Sequence, residues 1–217
     1  MKSLLLGVLA VLLIGVGGLV YRNAAEHPLQ PIVCPVDALL CPDGTSVSRT
    51  GISCTFPACP PPNVSFPESN IAFAVPEGFI PTELPDAASV AAYALSTAST
   101  SATTTTATIV LRRYAIAASS TPLATIEKTA VDSASGLPVS ATSFTSTVLN
   151  NRRFTVVTVG RFEGLIDTAY YLTHGTEVLR FDAIDKNVSN WTDPNLDMST
   201  LPAHKALGKL LTTLQGQ

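Results

Sequence analysis

The chain predicts an α+β fold: an α-β-α sandwich with a central antiparallel sheet, preceded by a transmembrane helix and a small disulfide-rich module. Three observations predict it. Short apolar segments of strand length recur after residue 63, separated by glycine and asparagine turn residues. Two segments with helical apolar spacing occur, one after the first strands and one at the end. Four cysteines, Cys34, Cys41, Cys54 and Cys59, cluster among prolines behind an uncharged N-terminal run.

The elements follow in order. Leu4–Val20 is a run of 17 residues without charge, flanked by Lys2 and by Tyr21-Arg22. As a helix it rises about 25 Å, close to the hydrocarbon thickness of a bilayer. Residues 1–22 read as a signal-anchor or a cleaved signal peptide, with Asn23-Ala24-Ala25 as the candidate cut. The first reading makes the chain a single-pass cell-membrane protein held through residues 4–20, with its bulk extracytoplasmic. The second makes it secreted. Residues 23–33 form a tether.

Residues 34–62 form the cysteine module and a proline linker that ends in Pro60-Pro61-Pro62. Little apolar periodicity lies between the cysteines, so cross-links must hold the segment. An export signal before clustered cysteines places them in an oxidising compartment, which favours two disulfides. Zinc is the competing use, but the segment has no Cys-x-x-Cys pair. Four cysteines allow three connectivities, and spacing does not choose among them.

Residues 63–217 form the main domain. Asn70–Val75 is a short strand closed by Pro76-Glu77-Gly78-Phe79, and Val90–Leu95 with Thr108–Ile116 reads as a hairpin around the Ser/Thr/Ala tract Ser96–Thr106. Thr121-Pro122 starts a helix, Thr as cap and Pro in the first turn, with Leu123, Ile126, Ala130 and Val131 on one face. Phe144–Leu149 and Phe154–Phe162 join through Asn150-Asn151, and Asp167–Thr173 joins Thr176–Ile184 through His174-Gly175. The last helix starts near Thr200 and carries Leu207, Leu210, Leu211 and Leu214 at i, i+3, i+4, i+7.

This order resembles the PsbP/Mog1-like domain of exported and photosystem-associated proteins. The matching residues are the segment from Phe66 to Phe79, the early helix Leu123–Ala130, the strand Arg153–Gly160, the pair Tyr170-Tyr171 before a glycine turn, and the closing amphipathic helix. The resemblance covers about residues 64–216, with Asn150-Asn151 standing where many members carry glycine and the Ser/Thr tract as an insertion. It implies a non-enzymatic, partner-binding domain. Separately, Leu40 to Cys54 resembles the Cys-x-Asp-Gly-x-Thr centre of Kazal-type protease inhibitors, with four cysteines in place of six. The two resemblances imply different functions: an extracytoplasmic interaction or assembly domain with a protein partner, or a secreted protease-inhibitor-like protein acting through the cysteine module.

The composition excludes other classes. With 13 basic and 16 acidic residues and no basic stripe, nucleic-acid binding is not expected. No nucleophile–base motif, phosphate loop or metal-ligating spacing occurs, so no enzyme, cofactor or metal is expected. The three histidines, His27, His174 and His204, fall in tether, turn and helix start and read as solvated. Asp182, Asp185, Asp193 and Asp197 read as a solvated acidic stretch. The candidate partner-binding residues are Trp191, Tyr170 and Tyr171, although strand alternation sends one of the two tyrosines into the core.

Overall fold

A computed structural model describes residues 7, 11–19, 21–22, 33–41, 46–59, 61–96 and 106–216. Helix α1 is described over residues 11–19 and 21–22, and no helix among the described residues is long and apolar enough to cross a membrane. This corrects the expected transmembrane helix; residues 4–6, 8–10 and 20 of the run, and residues 23–32 of the tether, lie outside the described residues. So do residues 97–105 of the Ser/Thr tract.

The chain divides into two compact units, Met1–Ala38 with Ser48–Pro57, and Leu39–Val47 with Ala58–Gln217. The first unit is held by a disulfide, Cys34–Cys54, and by Arg49. That guanidinium donates to both Asp37 carboxylate oxygens at 2.8 and 3.0 Å, and lies 4.2 Å from the Phe56 ring centroid. The second disulfide, Cys41–Cys59, belongs to the second unit. All four cysteines are therefore paired, first with third and second with fourth, and no thiol remains for zinc.

Strands dominate. Beyond the two-stranded β1 (Ala38–Leu40) and β2 (Ser46–Ser48), a three-stranded sheet has the order β12-β4-β3, from Gln215–Gly216, Ile71–Phe73 and Val64–Phe66. The main sheet has seven antiparallel strands in the order β5-β6-β7-β11-β10-β9-β8. These are Phe79–Pro81, Ser89–Leu95, Thr106–Ala115, Glu177–Lys186, Leu165–His174, Arg152–Phe162 and Thr145–Leu149. Tight turns set the register. Asn150 and Asn151 both adopt positive φ (49° and 59°), the geometry a two-residue hairpin requires. Gly175 at φ 59° opens the β10–β11 turn, one residue later than expected, because His174 still pairs with Glu177.

Two helices complete the unit. Thr121 caps α2 (Pro122–Thr129), its hydroxyl oxygen accepting from the Ala124 N–H at 3.1 Å. Helix α3 (Pro202–Thr213) buries the expected stripe, with Leu207, Leu210, Leu211 and Leu214 at 0% exposure. Each buried leucine contributes about 1.5–3 kcal/mol of transfer free energy.

The expected α-β-α sandwich is corrected, because the helices do not form two layers. On one face of the main sheet, α3 packs with Leu179, Phe181 and Ala183 of β11, and shares the cover with Ile71 and Phe73 of the small sheet. On the other, Ile126 of α2 meets Val178, Tyr171 and Val157. An eight-residue helix is about 12 Å long, whereas seven strands span about 29 Å, so α2 covers a corner. Among the described residues the second unit is mostly β, with α3 the longer of its two α-helices.

Candidate functional site

Alternation along β11 places Leu179, Phe181, Ala183 and Asp185 on the face covered by α3. Asp185 is fully buried there, beneath the N-terminal turn of α3. Its carboxylate accepts from the Ala203 backbone N–H at 2.9 Å and lies 2.8 Å from His204 Nδ1. A carboxylate accepts, so Nδ1–H donates. His204 is 6% exposed, and its Nε2 is buried without a hydrogen-bond partner among the described residues. An unmet buried nitrogen costs about 1–3 kcal/mol.

His204 lines a groove of about 400 Å³. One wall is β8, through Thr145, Thr147 and Leu149; the other is α3, through His204, Lys205 and Gly208; Val156 and Tyr170 line it between them. Burial pushes the Tyr170 hydroxyl above its ordinary value. Met198 and Ser199 come from a short 3₁₀ turn (Met198–Thr200), whose Ser199 hydroxyl donates to Asp197 at 2.7 Å. Gly208 matters by what it lacks. Glycine inside a helix costs about 1 kcal/mol against alanine. A Cβ there would meet nothing within 4 Å, so packing does not require the glycine.

The candidate residues are scattered. Tyr170 is half-buried and belongs to the groove. Tyr171 points to the opposite face and is core at 1% exposure, where burial raises its hydroxyl to about 12. Trp191 is half-buried against Ile166, Val188 and Leu201, with its carbonyl accepting from Arg161 Nε at 2.6 Å. The structure does not bring Trp191 and the tyrosines into one patch. The solvated reading of His204 is corrected, since its helical position, three before Leu207, puts it on the buried stripe. His174 is half-buried at the end of β10, and His27 lies outside the described residues. The acidic stretch is corrected too: Asp182 and Asp185 are fully buried in β11, while Asp193 and Asp197 are exposed and cap local turns.

A second polar cluster, unforeseen in the sequence, lies on the α2 face. Asp182 accepts from Arg180 Nε at 2.6 Å and from Arg112, which also donates to Asp86 at 2.8 Å. Arg180 donates to the Thr129 carbonyl at 2.8 Å as well. Burial opposes ionisation of Asp86, but its bonds from Arg112 and Ser89 outweigh that and hold its carboxyl below the ordinary value. Asp167 is the outlier. Burial, followed by the neighbouring Asp182 carboxylate, pushes its carboxyl up to about 8, and its Oδ1 has no partner among the described residues. Among the described residues no group of three or more His, Cys, Asp or Glu could hold a metal ion.

No family model matches the chain. No curated protein matches it either. One solved structure that resembles it is a protein from Bacteroides thetaiotaomicron VPI-5482, at TM-score 0.34 and 12% identity, covering 68% of this chain and 45% of that one. The match therefore spans less than half of that protein's length, and at that level of likeness it bears on neither fold nor activity.

Proposed function

We propose that the chain is an extracytoplasmic protein-interaction domain whose partner sits in the groove between β8 and α3. The observation that carries this reading is His204: one ring nitrogen is anchored by Asp185, the other is buried without a partner, and Gly208 one turn along leaves the wall free. Fixing one imidazole nitrogen to orient the other is how proteins preset a histidine for a ligand. The two disulfides support the oxidising compartment.

The test is Gly208→Trp in the full chain. The indole enters open space, so the melting temperature should stay within a few degrees while capture of the partner from native envelope extract falls at least tenfold. Undiminished capture by a folded Gly208→Trp chain overturns the groove as the site.

A further inference from the structure

Strand β8 ends the main sheet, and with 5 residues it is the longest edge strand among the described residues; β1, β2, β3 and β5 have 3 each and β12 has 2. Exposed edges are usually blunted by brevity, proline or charge, because their unpaired main-chain groups invite another strand. The opposite edge, β5, ends in Pro81, and Pro67 follows β3 directly. Thr145–Leu149 carries neither proline nor charge. The Asn150-Asn151 turn makes Leu149 and Arg152 a hydrogen-bonded pair. Alternation then gives Thr147 and Thr145 to the β9 ladder and turns the main-chain groups of Ser146 and Val148 outward. Both residues are exposed, Val148 by 60%. The Asn150-Asn151 turn bounds the open stretch at one end, and a 3₁₀ turn (Ala141–Ser143) bounds it at the other.

We propose that β8 pairs with β8 of a second copy of this chain, antiparallel about a two-fold axis through Thr147, joining the two main sheets edge to edge. The strand fits itself under that operation. Ser146 of one copy stands opposite Val148 of the other, and because both turn their main-chain groups outward, each such pair is hydrogen-bonded. Thr147 meets its own symmetry mate, and Thr145 meets Leu149. With no charge in either strand, no like charges come face to face. A flexible peptide could make the same bonds, but it must first give up the freedom of its whole paired stretch. A second copy brings its strand already ordered by β9, so the same bonds cost it far less. The bounding turns keep the paired stretch short, against about 20–30 residues a side in a stable complex, so the dimer forms and dissociates with concentration. The axis stands perpendicular to the sheet, so Thr145, Thr147 and Leu149 of both copies stay on the α3 face and both grooves open on the same side. The pairing runs through main-chain groups in the plane of the sheet, and it is independent of what fills the groove.

Sedimentation of the full chain over a wide concentration range tests this, with hydrogen exchange read at both ends of the range. The chain should pass from monomer to dimer. The Ser146 and Val148 amides should exchange at least tenfold more slowly in the dimer, while those of Thr147 and Leu149 are protected in both states. Ser146→Pro removes an outward N–H and leaves the β9 ladder intact, so the fold should persist and the dimer should weaken at least tenfold. If that variant does not fold, cysteine trapping decides. Thr147 and its mate form a pair with Cα atoms about 4.5 Å apart, within disulfide reach, whereas Ser146 is two positions out of register with its own mate. Thr147→Cys should therefore cross-link under oxidation at least tenfold faster than Ser146→Cys. Gly208→Trp should dimerise as the unsubstituted chain does, which separates this inference from the groove. A monomer at every concentration overturns the pairing, and so does a dimer that leaves the Ser146 and Val148 amides unslowed. Faster trapping through Ser146→Cys overturns the two-fold register. Loss of the dimer in Gly208→Trp shows self-association through the groove and overturns the edge. Slowed exchange in a chain that stays monomeric, and only with envelope extract present, shows a foreign strand on β8 and overturns the second copy.

Discussion

The two faces of the main sheet each bury an aspartate from the same strand, three positions apart, and treat it differently. On the α2 face, Asp182 is met by two guanidiniums, and those arginines are in turn met by Asp86 and the Thr129 carbonyl. On the α3 face, Asp185 is met by a backbone N–H and a histidine, and the chain of bonds stops at an unmet Nε2. Neither cluster is closed: on the α2 face Asp167 Oδ1 and the Tyr171 hydroxyl are as unmet among the described residues as His204 Nε2. The two faces differ in that His204 lines a groove, while the α2 side is the more heavily charged.

The largest effect expected concerns neither cluster and calibrates both. Leu211→Asp places an unpaired carboxylate in the α3 stripe at a position with 0% exposure. That costs several kcal/mol against a typical total of about 5–15, so the cooperative thermal transition should disappear. A retained transition would mean that α3 is not docked, and the groove would lose its wall.

Arg180→Ala comes next. It leaves Asp182 buried with Arg112 alone, and truncating one partner of a buried ion pair costs about 3–5 kcal/mol. Denaturant unfolding should show that loss while capture of the partner by the folded fraction is unchanged. A binding defect equal to the stability defect would erase the distinction between the faces.

Asp167 gives the pH dependence its sign. Its folded carboxyl is raised to about 8, above the unfolded value, so the folded state holds the proton more tightly. The stability from this group is fully present below about pH 4 and is lost as pH rises through 8, at up to about 1.4 kcal/mol per pH unit. Asp167→Asn should therefore raise the melting temperature at pH 8 and leave it unchanged near pH 4. A gain that is the same at both values would show that Asp167 is ionised throughout.

Gly208→Ala should give the smallest effect and the one of opposite sign. It should stabilise the protein by about 1 kcal/mol or less, since the helix gains propensity and the methyl meets nothing. Calorimetry checks this. Lower stability would mean that the glycine serves packing, and its place in the functional argument would lapse.

Much of the main unit was legible in residue order. The Asn150-Asn151 turn, the Thr121 cap and the α3 leucines all express strong local preferences that tertiary packing did not override. The layering was not legible. Strands β3, β4 and β12 are three, three and two residues long, too short to show a period, yet they take cover space that two helical layers would otherwise need. The groove was half legible. Parity along Leu179, Phe181 and Ala183 carries Asp185 inward, and the helical offset from Leu207 carries His204 with it. What hides the pair is that ionisable side chains are rarely buried unless paired, and the pairing is not local. That β8 would be an edge depends on sheet order, which no local signal encodes. Arg112, Asp182 and Asp86 meet across separations of 26 and 70 positions, beyond the reach of any local pattern.

The central pairing of β7 with β11 has a kinetic consequence. The strands from β8 to β11 follow one another through short turns, and each can form beside its predecessor. β7 must instead find β11 across the intervening chain, from Ala115 with Glu177 to Thr106 with Lys186. Closing so long a loop is the slow step in sheets of this kind. Val110 stands opposite Asp182 in this seam, and Arg112 reaches the same carboxylate. Slippage by two residues that set Arg112 opposite Val178 would keep every apolar side chain on its proper face and strand the charges. Hydrophobic alternation alone cannot reject that error; the ion cluster can. Arg112→Met should accordingly slow refolding and let a slipped species accumulate, visible as a second kinetic phase. The seam that joins the two halves of the sheet carries its own proofreading.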